Sequence, residues 1–337
     1  MTEVLRLGIL STANIAHGFA EGLADARGVR IDAVASRNAE AAGAFAARHG
    51  IARSHARYED LLADPAIDAI YNPLPNSLHA AWTEAALKAG KHVLCEKPLT
   101  LTRAEAEPLF ALARESGLVL LEAFPYRYQP QTLRLRQLLA EGAIGQVRMI
   151  QAYFGFSLRE GPNIRLDPAL GGGALLDAGC YAVSFARLAA GAVPVSVLAQ
   201  ARWGDSGVDM ALTGTVHYAN GAVAQIGCAM DTAPQRLALV VGNQGVIETD
   251  YLNHTSVARP GCLRVRRGAG WDSVAQDEPY ALANGFRCEA EHFARQVALP
   301  ALQRDREDEA LSLQNMATLE ALLRSAREGR AVNLATA

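Results

Sequence analysis

The chain has 337 residues, 50% of them hydrophobic and 20% charged, with a formal net charge of −3. This is the make-up of a soluble globular protein of roughly two domains with a sizeable core. No Lys/Arg block stands out, which argues against nucleic acid as the main partner, and no apolar run approaches the roughly 20 residues that span a bilayer.

The start, Met1-Thr2-Glu3-Val4, lacks the basic-then-apolar design of a signal peptide. It leads into an apolar strand, Leu5–Leu10, then a small-residue turn and a helix from Asn14 to about Ala26. Val29–Ala35 reads as a strand, Ala39–His49 as an alanine-rich helix and Ala69–Asn72 as a further strand. Ser77–Ala89 is helical, with Gly90 as its stop. The strand Lys91–Cys95, the helix Thr102–Ser116 ended by Gly117, and the strand Leu118–Leu121 complete the series. Strands alternating with helices predict βαβ units and a parallel sheet.

Beyond Glu122 the pattern changes. After a helix at Pro130–Glu141, the period becomes mostly two. Val147–Phe156, Pro194–Trp203, Val208–Tyr218, Ala222–Met230, Arg236–Val241 and Gly245–Asp250 read as antiparallel strands, with Asn220-Gly221 as a hairpin turn. Helices are expected at Gly173–Ala190, Gly285–Leu299 and Glu307–Glu328, and the basic cluster Arg264–Arg267 reads as a solvated hairpin edge. The fold class is therefore α/β: a dinucleotide-binding Rossmann domain over 1–122, then an α/β domain over 123–337 for substrate and oligomerisation, with a mostly antiparallel sheet. The five cysteines form no Cys-x-x-Cys pair and suit a reducing cytoplasm. The eight histidines show no spacing for a structural metal.

The chemistry-bearing segments follow the same order. Ser11-Thr12-Ala13-Asn14-Ile15-Ala16 stands where Gly-x-Gly-x-x-Gly/Ala binds a dinucleotide. Only Ala16 meets the pattern, but a strand precedes the segment and a helix follows it, so its N–H groups can hold a pyrophosphate. Ser36 and Arg37 end the second strand where an acidic residue would bind the ribose of NAD. A guanidinium suits a 2′-phosphate, so NADP is favoured and NAD is the alternative. In the loop Tyr71 to His79, Pro73, Leu74 and Asn76 are cofactor candidates. Asn76 could equally cap the next helix, and His79 is read equally as a surface residue. Glu96-Lys97-Pro98 ends a strand at the sheet's carboxyl edge, where ligands bind in open α/β sheets. Glu96 and Lys97 are therefore assigned to the cofactor, and Lys97 also to catalysis.

These pieces resemble the Gfo/Idh/MocA oxidoreductases, the family of glucose-fructose oxidoreductase and inositol dehydrogenase. The resemblance rests on Pro75–His79, Ala89–Pro98, Glu122–Tyr128 and Gly171–Tyr181. Within the family, Tyr181 marks the branch with dimeric dihydrodiol dehydrogenases, NADP-dependent xylose dehydrogenases and glucose-fructose oxidoreductase. The resemblance implies that Lys97 meets the reacting hydroxyl, that Asp177 and Tyr181 are its partners, and that the Lys97-Pro98 bond is cis. Asp177 and Tyr181, four apart, would share a helix face. Tyr126, Arg127 and Arg165 are candidate pocket residues, although Arg127 could bridge domains and Arg165 could pair with Asp177. The function expected is hydride transfer between a nicotinamide cofactor and a sugar, polyol or cyclic diol, in a homodimer or homotetramer with no nucleic-acid or membrane partner. The alternatives are a tightly NADP-bound enzyme that recycles its cofactor, and a non-catalytic NADPH-sensing regulator or scaffold.

Overall fold

The structure is a computed structural model that describes residues 4–159 and 161–334; the reading of Met1-Thr2-Glu3 lies outside the described residues. The chain divides into two compact units, Met1–Tyr128 with Asn284–Ser312, and Gln129–Ala283 with Leu313–Ala337.

The first unit is built on six parallel strands: β1 (Leu5–Leu10), β2 (Val29–Ala35), β3 (Arg53–His55), β4 (Ala69–Asn72), β5 (His92–Glu96) and β6 (Leu120–Ala123). Their order is β3-β2-β1-β4-β5-β6. Between them run α1 (Asn14–Gly22), α2 (Ala39–His49), α3 (Tyr58–Leu62), α4 (His79–Lys88) and α5 (Arg103–Glu115). A parallel sheet covered on both faces needs near-continuous apolar strands, and Leu7, Ile9 and Leu10 of β1 are all fully buried. The strand order reverses between β1 and β4, so a crevice for ligands is expected outside their carboxyl ends. The three-residue β3 was too short to show a period.

The second unit opens with α6 (Pro130–Ala140) and β7 (Val147–Ser157). After a helical segment that ends in α7 (Cys180–Ala190) come β8 (Pro194–Trp203), β9 (Asp209–Tyr218), β10 (Val223–Ala229), β11 (Asp231–Gly242), β12 (Gly245–Thr249), β13 (Cys262–Arg267) and β14 (Ala275–Pro279). With β15 (Val332–Asn333) they form a nine-stranded sheet, ordered β14-β13-β12-β11-β7-β10-β9-β8-β15. Among the described residues of this sheet, only β7 and β10 pair in parallel. One face, with Ile150, Ala152, Val216, Ala224, Ile226 and Val240, is buried, and α7 packs against β7 and β10. The opposite face shows Met149, Leu198 and Leu237 to solvent.

One expectation is corrected here. The basic cluster is not a sheet edge: β13 lies between β12 and β14, with Leu263 and Val265 buried and the arginines alternating outward. The segment Pro168–Ala190 is long and apolar enough to compare with a membrane span, but it is 78% buried. It spends its apolar surface on the sheet. Finally α8 (Gly285–Ala298) returns to the first unit, where Phe286, Ala290 and Phe293 enter the core. The helix α9 (Glu307–Glu328) begins in that unit and ends in the second.

Candidate active site

In the first unit the chain leaves β1 through Ser11, whose φ of 89° lies in the left-handed region that glycine takes easily. Its N–H donates to Ala35 O at 2.8 Å, and its Oγ accepts from Ala13 N–H at 3.3 Å. Serine thus holds the conformation of the missing first glycine. Ala13 caps α1 without a side-chain hydrogen bond, so the first-turn N–H groups have no side-chain acceptor. That is what an incoming pyrophosphate needs. Thr12 is half-buried, Asn14 and Ile15 are exposed, and Ala16 is fully buried, close against the sheet. At the end of β2, Ser36 is buried and its Oγ accepts from Asn38 N–H at 3.3 Å. Arg37 is exposed beside the Tyr58 hydroxyl. Asp32 is already paired with Arg30 at 2.6 Å. The residues present fit a dinucleotide with a 2′-phosphate.

Next to this cradle, buried Asn72 ends β4. Its Nδ2 donates to His79 O at 3.3 Å and Thr83 Oγ1 at 3.2 Å, and its Oδ1 accepts from Leu74 N–H at 3.4 Å. It fixes the Pro73-Leu74 loop. The surface reading of His79 is corrected: the ring is only 1% exposed. Nδ1 lies 2.7 Å from Pro98 O and Nε2 lies 2.7 Å from Leu74 O. Burial outweighs those carbonyls and lowers its pKa to about 4, so it is neutral near pH 7. A neutral ring carries one N–H, so His79 donates to one of these carbonyls and packs against the other, between the Pro73-Leu74 loop and the Lys97-Pro98 turn. Neither short helix that follows Pro75 has a side-chain cap, so Asn76 does not serve as the cap weighed above.

Lys97 is half-buried at the end of β5, and the Lys97-Pro98 peptide is cis. Glu96 accepts from Tyr71 Oη at 2.6 Å and from Lys97 N–H at 3.2 Å. Glu122 Oε1 accepts from Leu99 N–H at 2.9 Å. Burial lifts the Glu122 carboxyl to about 7, against the pull of Ser312, Arg127 and Lys97. Glu289 on α8 is fully buried, and neither of its oxygens has a hydrogen-bond partner. Burial, with the Glu96 charge, keeps it protonated well above the usual carboxylate range. No local pattern marks Glu289, because it is the return of α8 to this unit that brings it near β5.

Tyr126 is fully buried, edge-on to Phe124 with centroids 6.1 Å apart. Arg127 is 3% exposed and paired with Asp308 at 2.6 Å. Asp308 also lies 3.3 Å from both Tyr128 Oη and His292 Nε2. Against burial, which alone would raise it, Arg127 and His292 hold the Asp308 carboxyl well below its usual range. The Arg127 charge is thus met inside the first unit.

In the second unit, Gly173 has φ 116°, and a Cβ there would lie 2.2 Å from Asp209 Oδ1. Only glycine lets the chain come this close. Asp209, at the start of β9, accepts from Leu175 N–H at 2.7 Å and so caps the next helix from a distance. Burial lifts its carboxyl to about 6. The helix begins as a π turn, Leu175–Gly179, before continuing as α7. This departs from the regular helix expected. Gly179 lets the wider turn fit, because a Cβ would fall 2.7 Å from Leu175 and 2.9 Å from Cys228. Asp177 Oδ2 accepts from Arg165 Nε at 2.6 Å. Tyr181 is buried, and its Oη accepts from Asn253 Nδ2 at 3.0 Å. Arg165 is 41% exposed, so its pair with Asp177 is weak enough to yield to a ligand. Among the described residues no three His, Cys, Asp or Glu side chains group to hold a metal.

Two family models match the chain: an oxidoreductase family with an NAD-binding Rossmann fold over residues 5–124, and the GFO/IDH/MocA C-terminal domain over 132–248. The chain is 36% identical to D-xylose 1-dehydrogenase (NADP(+)) 2 of Haloferax volcanii, over 98% of this chain and 100% of that one. It is 34% identical to trans-1,2-dihydrobenzene-1,2-diol dehydrogenase of Xenopus tropicalis, over 88% and 90%. Among solved structures it resembles KijD10, a 3-ketoreductase from Actinomadura kijaniata in complex with NADP and TDP-benzene. The TM-score is 0.87 and the identity 32%, over 96% of this chain and 98% of that one.

Proposed function

The chain belongs to the Gfo/Idh/MocA oxidoreductases, and from that premise we propose that it transfers a hydride between NADP and a carbinol or carbonyl carbon of a sugar, polyol or cyclic diol. The substrate class follows relatives that act on xylose and on a dihydrobenzenediol. Ser11 to Ile15 and the uncapped first turn of α1 take the pyrophosphate. Ser36 and Arg37 take the 2′-phosphate and set the preference over NAD. Pro73, Leu74, Asn76 and Glu96 line the rest of the cofactor, and His79 acts through the loop it holds.

When bound, the nicotinamide accepts or returns the carbon-bound hydrogen with its electron pair. Lys97 holds the reacting oxygen by a charge-assisted hydrogen bond. Tyr181 Oη takes the hydroxyl proton as the carbon–oxygen bond becomes double, and gives it back in reduction. Asp177 leaves Arg165 to accept from a second substrate hydroxyl. Cysteines outside any disulfide among the described residues suit a reducing cytoplasm, and the open face of the nine-stranded sheet receives a second copy of the chain.

The observation that carries this reading is Lys97 at the carboxyl end of β5, in the same unit as a bare helix N-terminus beside β1. NADPH and NADH titrations, followed by a panel of aldoses, polyols and cyclic diols, test it. NADPH should bind more tightly. Lys97→Ala should lower turnover by at least about tenfold, or about 1.4 kcal/mol of barrier; a smaller loss overturns the role of Lys97. Tight NADPH binding with no turnover across the panel would favour a sensing role instead.

A further inference from the structure

Arg236 on β11 is buried in a place that a guanidinium seldom occupies without a purpose. It is 8% exposed, and its central carbon lies 4.7 Å from the ring centre of Phe154, 4.4 Å from Tyr181 and 4.6 Å from Tyr251. Three aromatic faces thus surround one charge and compensate part of its desolvation. Phe154 is its register partner across β7. Arg236 Nη2 donates to Asn253 Oδ1 at 3.1 Å, and Asn253 Nδ2 donates to Tyr181 Oη at 3.0 Å. The order matters. Because a guanidinium can only donate, it forces the carboxamide oxygen toward itself and the amide N–H groups toward the phenol. The phenol oxygen then receives a hydrogen bond from Asn253, so its own proton points elsewhere. The Asn253 backbone is also held, since Gln129 Nε2 donates to its main-chain carbonyl and to Ala283 O.

We propose that Arg236 and Asn253 are positioning residues that prepare Tyr181 to accept the substrate proton. A donor at the oxygen and a positive charge beneath the ring both favour the deprotonated phenol. This rests on the reading above, in which Tyr181 is the proton carrier. Other titratable groups of the same unit stand close to this chain of contacts: Asp177, four residues before Tyr181 and paired with Arg165, and Tyr251, against the Arg236 guanidinium. None is altered in the test, and Lys97 is left in place.

The test is a spectrophotometric titration of tyrosinate, taken as the difference between each protein and its Tyr181→Phe counterpart. It needs neither substrate nor turnover, so it stands even if the proposed reaction fails. Arg236→Met should move the midpoint of the difference signal up by about one pH unit or more. Arg236→Lys should restore part of the shift, since it keeps the charge but loses the fork to Asn253. Asn253→Ala should move it upward as well, and Asn253→Asp further, by facing the phenol with a carboxylate. In an active preparation, the alkaline-rising limb of the kcat profile for oxidation should move with the midpoint. Asn253 is half-buried, and folded Asn253→Ala decides the matter if Arg236→Met does not fold. Unmoved midpoints in folded Arg236→Met and Asn253→Ala, or in folded Asn253→Ala alone, overturn the proposal.

Discussion

A serine in glycine's conformation shows how single residues depart from the family pattern without leaving it. Ser11 carries φ 89°, and a non-glycine residue held there costs of order 1–3 kcal/mol. Glycine would remove that strain but lose roughly 0.5–1 kcal/mol of unfolded-state entropy. The balance favours Ser11→Gly by about 1 kcal/mol, which should raise the urea midpoint at unchanged m. A lower midpoint would mean that the Oγ contact to Ala13 N–H outweighs the strain. The sequence exposed the substitution, but the conformation that makes it costly belongs to the backbone. His79 teaches a similar lesson. Its place in the chain left a surface role and a cofactor contact equally open, and the carbonyls of Leu74 and Pro98 enclose it instead.

At the scale of the element, the helix that carries Asp177 and Tyr181 is set by a residue far from it in sequence. Asp209 replaces a local cap, accepting from Leu175 N–H. Burial raises its carboxyl from 3.8 to about 6. Between those values the unfolded chain has lost the proton while the folded chain keeps it, so stability falls as pH rises from about 4 to about 6. The drop amounts to about 3 kcal/mol, at 1.36 kcal/mol per unit. Asp209→Asn keeps an acceptor and cannot ionise, so the fall of the urea midpoint across that range should become shallower, leaving the part that Glu122 and Glu289 contribute. A slope of the same size in Asp209→Asn would show that another group titrates there. The π turn has the same kind of origin. The Asp177–Tyr181 spacing announced a shared face, but the widening depends on how Gly179 meets Cys228 on a neighbouring strand.

The molecule as a whole presents a surface question. The face of the second sheet that α7 leaves uncovered carries Met149, Leu198 and Leu237, each at least 44% exposed, around a Gln151–Gln225 hydrogen bond at 3.3 Å. Apolar groups with so little charge among them suit burial against a second copy. Sedimentation equilibrium should therefore give a dimer or larger assembly, and Gln225→Arg, which places a charge at the centre, should give monomer. Wild-type protein that sediments as a monomer would remove the case for this face. The amino-acid sequence alone determined the two kinds of sheet, the small-residue turn after β1 and Lys97 at a strand end, because periodicity, prolines and short motifs are local. Tertiary structure alone decided the return of residues 284–312 to the first unit, the Asp209 cap, the sealed Arg127–Asp308 pair and the Arg236–Asn253–Tyr181 chain. Those contacts join residues from 17 to more than a hundred positions apart, and their energies come from burial and exclusion of water, which no local pattern encodes.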